Sequence, residues 1–213
     1  MAAPAGAADD PIKPAEQLLF MADHLKTVRV PADLVYRFDK GGSLVPAGSD
    51  EVHVRLSRGG TGVSAVVSDA SGTMPFAGEA PLRGNPVILY FLEKDIAEMR
   101  QLTGGQPRYF QKRIRLALAQ GPAITPVTAE LDGKPVPARQ IVIQPYLDDP
   151  NHARFENLVG KRYTFVLSDR VPGQVLLLKS EVPGKVSGET PDQARDFARP
   201  VQTETLRFRG TKP

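Results

Sequence analysis

The chain has 213 residues, a formal net charge of +3 and no cysteine. Without cysteine there can be no disulfide, zinc–thiolate site or thiol nucleophile, and a chain of this length can build a core that needs no structural metal. Its 19 glycines and 20 prolines predict many short elements separated by turns. No apolar run reaches the length of about 18 residues that a membrane-spanning helix requires.

The first ten residues, MAAPAGAADD, are small and have no apolar core of the kind a signal peptide carries. We interpret 1–12 as a flexible N-terminal tail, the mature side of a removed export signal. This favours a periplasmic or otherwise exported protein. An ordinary cytoplasmic N-terminus would have the same composition, so a cytoplasmic protein stays open as the alternative.

A first helix is predicted from Pro14, a residue tolerated in a first helical turn, to about Lys26. Its apolar positions recur three or four residues apart; they are Leu18, Met21, Ala22 and Leu25. Apolar and polar residues then alternate in 34–38, 51–56 and 63–67. This alternation predicts an antiparallel meander with one buried face and one solvated face.

A helical hairpin is predicted over 85–121. Asn85 and Pro86 form a helix start, the first as cap and the second in the opening turn. The first helix of the hairpin ends at Gly104, and the second runs from Pro107 to the stop signal at Gly121. Helices joined by so short a connection pack antiparallel.

Strands return after the hairpin. Asp132-Gly133 and Pro172-Gly173 mark two β-hairpins, and Leu206 with Phe208 suggests a short closing strand. The sequence therefore predicts an α+β fold: a curved antiparallel sheet, or half-open barrel, with an N-terminal helix and an inserted helical hairpin. We expect 13–213 to form a single domain.

No catalytic or metal-binding constellation is apparent. The three histidines, His24, His53 and His152, belong to separate predicted elements and lack ligand spacing. Ser64 lacks the second glycine of a nucleophile elbow, and the glycines of 59–62 join two strands instead of preceding a helix that could bind phosphate. The sequence predicts no catalytic residue, no metal and no cofactor, and hence a protein that is not an enzyme.

Three cations share one arc of the second hairpin helix: Arg108, Lys112 and Arg115. With no acid in that helix, they predict contact with an anionic group, either a membrane surface, a lipid headgroup or an acidic protein partner. The alternative is a solvated face paired with Glu93 or Asp95 of the neighbouring helix. Nucleic acid is a weaker candidate partner, because three cations are few and no aromatic platform accompanies them.

Four aromatic residues occupy alternate positions on two separate strands: Tyr36, Phe38, Tyr163 and Phe165. Large side chains in this arrangement can line a cavity or fill a core, and the pattern alone leaves both open. They are the candidate ligand-binding residues.

The order of elements resembles the LolA/LolB-like superfamily of exported lipid and lipoprotein binders. A helix over 14–26, strands over 34–67, helices over 86–120 and hairpins over 127–179 follow that plan across most of the chain. The resemblance implies a half-open barrel whose apolar cavity is plugged by helices. It rests on architecture without a shared motif, so no functional position of the family is transferred to this sequence.

These observations lead to one functional hypothesis and one alternative. The first is a non-enzymatic exported binding protein that holds an apolar or amphipathic ligand, a lipid or acyl chain, between sheet and helices. The alternative is a protein–protein accessory or assembly module with a solid core.

Overall fold

The computed structural model describes residues 11–60, 62–76, 82–185 and 195–212. The strands of its main sheet are β1 (Ala32–Gly42), β2 (Gly48–Gly59), β3 (Gly62–Asp69), β4 (Gly72–Phe76), β5 (Thr125–Leu131), β6 (Lys134–Ile143), β7 (Arg162–Leu167), β8 (Val175–Val182) and β11 (Gln202–Lys212). Two short strands, β9 (Gly184–Lys185) and β10 (Arg195–Asp196), form a separate pair in the described part of the chain.

The helical elements follow the same chain order. They are α1 (Pro14–Glu16), which continues as a π-helix (Gln17–Met21), then α2 (Val87–Thr103), α3 (Pro107–Ala119) and two 3-10 helices, His152–Arg154 and Glu156–Gly160. Among the described residues, no helix is both long and apolar enough to cross a bilayer.

The nine strands lie in the order β4-β3-β2-β1-β11-β8-β7-β6-β5, and neighbouring strands are antiparallel. Strands β1 to β4 form one wing and β5 to β8 the other, and β11 joins the wings by pairing with both β1 and β8. Since β4 and β5 are the two edges, the sheet is not closed within the described chain. The predicted α+β fold with a curved antiparallel sheet is confirmed.

The closing strand is longer and more central than predicted. β11 spans 11 residues and pairs with the first strand of the sheet, β1, along that strand's whole length after Ala32. The alternation of apolar and polar residues that marks a strand is incomplete in β11. Its buried positions are Gln202, Glu204, Leu206 and Phe208, and the first two of these are polar.

The prediction of a helix to about Lys26 is wrong at its C-terminal end. The helix stops at Met21, and the backbone of Ala22 is extended. The buried imidazole of His24 lies 2.8 Å from the carbonyl of Leu18 and accepts the backbone N–H of Asn85 at 3.0 Å. These contacts of His24 hold the segment after Met21 in a non-helical conformation, although its apolar spacing is that of a helix.

The helical hairpin is confirmed. The side chain of Asn85 accepts the backbone N–H of Val87 at 3.1 Å, as a capping residue does, and Gly104 ends α2 with a φ of +69°. The amide of Asn85 also donates to the Tyr36 hydroxyl and the Gly173 carbonyl, each at 2.9 Å. The first residue of the hairpin is thereby fixed to the sheet.

The sheet has two different faces. The covered face packs against α2 and α3 and carries the buried residues of β1, namely Leu34, Tyr36 and Phe38. The open face carries exposed residues at alternate positions, such as Arg37 on β1 and Arg207 on β11; Val35 of β1 is buried. This alternation follows from the period of two in a β-strand.

Candidate ligand-binding site

The four predicted ligand-binding rings all lie on the covered face. Tyr36, Tyr163 and Phe165 are 0% exposed and Phe38 is 5% exposed. With so little exposed surface, a ligand can contact these rings only where a helix moves away from the sheet. That they line a ligand cavity stays a prediction.

A buried ion pair lies between α2 and the sheet. The Nζ atom of Lys161 is 2.5 Å from the carboxylate of Asp95, and both side chains are 0% exposed. The hydroxyl of Tyr163 donates to Asp95 at 2.6 Å, and that of Ser180 donates to it at 3.0 Å. Because a buried carboxylate without partners is costly, these contacts make Asp95 a fixed link between helix and sheet.

The ion pair continues into a second group of polar residues. Lys40 contacts the carboxylate of Glu98 at 2.6 Å and that of Glu204 at 3.9 Å, and the amide of Gln202 also donates to Glu98. The Ser180 hydroxyl, 3.4 Å from Glu204, joins the two groups. We call the seven residues the covered-face network; they are Lys40, Asp95, Glu98, Lys161, Ser180, Gln202 and Glu204.

Glu204 has a perturbed ionisation. Burial, which disfavours the charged form, raises the pKa of Glu204 to about 8; the carboxylates of Asp95 and Glu98 add to this rise, while Lys161 and Lys40 oppose it. The covered-face network holds three carboxyl groups and two ammonium groups. It is therefore electrically balanced when Glu204 is protonated.

The burial of the covered-face network suits a role in folding and stability. Asp95, Lys161 and Glu204 are at most 2% exposed, so a substrate has no route to them in this conformation. In the part of the chain that the structure describes, no three His, Cys, Asp or Glu side chains are grouped so that they could hold a metal ion.

The cationic arc of α3 is exposed, as the helical period predicts. Arg108, Lys112 and Arg115 all point to solvent. The two acids of α2 that could have paired with them are engaged elsewhere: Glu93 accepts the amide of Gln111 at 2.9 Å, and Asp95 is buried with Lys161. Within the described residues neither acid forms an ion pair with the arc, and contact of the arc with an anionic group stays a prediction.

A groove with a volume of about 490 Å³ runs between the π-helix, α2 and α3. We call it the helical groove. Its apolar lining consists of Phe20, Leu89, Leu92, Ile96, Ile114 and Leu118. Its polar lining consists of Glu16, Glu93, Gln111 and Arg115. Arg115 is the one cation of the arc that lines the helical groove, among the residues that the structure describes.

Sequence reasoning missed the helical groove, although one signal was present. Leu89 belongs to the apolar stripe of α2, yet it is 45% exposed at the groove. The stripe of α2 is wider than one contact with the sheet can cover, since Ile88 and Phe91 already face the core with 1% exposure each. An apolar stripe of this width indicates a second apolar contact.

No protein-family model matches the chain, and no curated protein matches it. Two solved chains match by structure. One of them is Mycobacterium tuberculosis lipoprotein LppX, which is 11% identical, with an alignment that covers 83% of this chain and 84% of that chain at a TM-score of 0.34. A likeness of this size carries no argument about function.

Proposed function

We propose that this protein is a non-enzymatic, exported binding protein for an amphipathic ligand with an anionic group, such as a lipid or acyl chain. We place the ligand in the helical groove, on the outer side of the helical hairpin, with its anionic group at Arg115. The observation that supports this is an apolar groove lined by one cation, Arg115, that forms no ion pair with a described carboxylate. Glu16 and Glu93 also line the groove, and Glu93 accepts the amide of Gln111.

The dimensions and chemistry of the helical groove suit such a ligand. Small-molecule sites are clefts of about 300–1,000 Å³ with mostly apolar walls and a few polar groups, and this groove has about 490 Å³. Each methylene buried there contributes about 0.8 kcal/mol, whereas an ion pair at an exposed cation contributes about 1 kcal/mol or less. Most of the affinity would come from burial of the ligand's acyl chain. Arg115 would favour ligands that carry an anionic group.

A binding assay with a fluorescent long-chain fatty acid tests the proposal. Leu89→Asp places a carboxylate in the helical groove at an exposed position, and we expect it to weaken binding about tenfold or more. Leu102→Asp is the matched control, because Leu102 is a comparably exposed leucine of α2 (41%) outside the groove lining. Arg115→Gln should weaken the fatty acid more than the corresponding alcohol. Equal binding by the Leu89 and Leu102 variants would refute the groove as the site.

The tightly packed covered face supports a second candidate function, a protein–protein accessory module. In that case the cationic arc would contact an acidic protein, and reversing Arg108, Lys112 and Arg115 to Glu would abolish its capture. The fatty-acid assay separates the two functions, since an accessory module would bind no fatty acid in the helical groove.

A further inference from the structure

The open face of the sheet carries a larger cavity, with a volume of about 810 Å³. We call it the open-face trough. Its lining comes from the β5–β6 hairpin and from β7, β8 and β11. In the strand order, β5 and β11 are four strand spacings apart, about 19 Å on a flat sheet. Residues of both line one cavity, so β5 and β11 approach each other on this face more closely than in a flat sheet.

The floor of the open-face trough is a row of residues on four adjacent strands. Arg207 of β11 is opposite Leu177 of β8, Leu177 is opposite Val166 of β7, and Val166 is opposite Gln140 of β6. All four line the cavity. The row spans three strand spacings, about 14 Å, and runs from a cation through two apolar side chains to an amide.

A second arginine strengthens the cationic end of the row. Arg209 also lines the cavity, two residues along β11 and therefore about 7 Å from Arg207 on the same face. Both arginines are exposed. The apolar wall facing them consists of Val127, Ala129 and Leu131 of β5.

The arginines of the trough have no ion-pair partner among the described residues. Two carboxylates, Glu130 and Asp132, also line the cavity, but they lie at its β5 edge, four strand spacings from β11 in the strand order. Two other carboxylates of the open face are bound by other cations. Asp39 of β1 lies 3.0 Å from Arg37. Glu181 of β8 is bound by Arg162 at 2.8 Å and by Lys179 at 2.5 Å. A pair of unpaired guanidinium groups beside apolar surface is complementary to an anion that carries an apolar body.

We infer that the open-face trough is a second binding site, for a linear amphipathic anion. A carboxylate or phosphate binds Arg207 and Arg209, since a guanidinium group matches either oxyanion in a bidentate geometry. The apolar segment lies over Leu177 and Val166. A hydroxyl or amide at the far end meets Gln140, whose side chain can both donate and accept. The site lies on the opposite face of the sheet from the helical groove and does not depend on it.

The test uses the full chain with four probes: decanoate, ω-hydroxydecanoate, decyl phosphate and inorganic phosphate. Methyl NMR shifts report the site, with Val166 and Leu177 for the open-face trough and Leu89 and Leu118 for the helical groove. We expect both decanoates and decyl phosphate to shift the trough methyls, and inorganic phosphate alone to bind far more weakly. Equal affinity for inorganic phosphate would overturn the amphipathic ligand, and shifts confined to the groove methyls would overturn the site.

Two variants test the two ends of the row. Arg207→Gln should weaken decanoate and decyl phosphate at the trough up to about fivefold, as expected for the loss of one ion pair at an exposed cation. Wild-type protein should bind ω-hydroxydecanoate more tightly than decanoate, and Gln140→Leu should remove this difference while leaving decanoate binding intact. Arg115→Gln, at the helical groove, is the control and should leave the trough shifts unchanged. Unaltered decanoate binding by Arg207→Gln would refute the inference, whatever happens at the groove.

Discussion

The two faces of the sheet hold charge in opposite ways. On the covered face, Asp95 and Lys161 are buried completely and lie 2.5 Å apart. On the open face, Arg207 and Arg209 are exposed beside apolar side chains, and the carboxylates of neighbouring strands pair with other cations. The charges of the covered-face network are paired within the protein, whereas the two arginines of the open-face trough pair with no described carboxylate.

This difference separates structure from function. A buried charge needs a partner, so a paired buried charge is explained by folding alone. An exposed cation has no such requirement, so a cation at the wall of an apolar cavity is available to bind an anionic ligand. The same contrast holds between the covered-face network and Arg115 of the helical groove. We therefore expect binding to depend on the exposed cations and stability on the buried ones.

The largest effect is expected for Lys161→Met. Removing the ammonium group leaves the Asp95 carboxylate buried without its counter-charge, and such a change costs about 3–5 kcal/mol of the free energy of unfolding. Urea denaturation followed by circular dichroism measures the loss. Adding Asp95→Asn should restore part of it, because the double variant buries no charge there. A loss below about 1 kcal/mol for Lys161→Met would mean that water reaches the pair.

Next in size is a pH effect from Glu204. Its pKa is raised to about 8 in the folded protein by burial and is about 4.3 in an unfolded chain. Between these values the folded state binds more protons than the unfolded state, so the free energy of unfolding falls as pH rises, by up to about 1.4 kcal/mol per pH unit. The contribution is complete below the unfolded pKa and lost above the folded one.

The control for this pH dependence is Glu204→Gln, which keeps the hydrogen-bonding groups and removes the titration. Denaturation midpoints measured from pH 5 to pH 9 should decline for the wild type and be flatter for the variant. Identical curves would show that another group governs stability in this range.

Local patterns in the sequence predicted the elements and the direction of the side chains. Alternation placed Tyr36, Phe38, Tyr163 and Phe165 on one face, and the helical period placed the α3 cations towards solvent. These patterns act over a few residues, and the structure reproduces them.

Relations between distant segments could not be predicted in this way. From the sequence, Asp95 was a possible partner for the α3 cations; in the structure it pairs with Lys161, which lies in another part of the chain. The row from Arg207 to Gln140 depends on how β11, β8, β7 and β6 pair and on their register. A single sequence does not determine this pairing. The helical groove forms where the π-helix, α2 and α3 pack beside one another. In each case the missing information was which segments become neighbours.

The smallest effect is expected at the cationic arc, where Arg108, Lys112 and Arg115 are changed together to Gln. Because all three are exposed and pair with no described acid, the free energy of unfolding should change by no more than about 0.5 kcal/mol per site. The same urea titration measures it, beside Lys161→Met. A stable triple variant that binds anionic ligand weakly would place the role of the arc in binding. If the triple variant unfolded as readily as Lys161→Met, the arc would be structural, and the contrast between paired and unpaired charge would no longer distinguish folding from function.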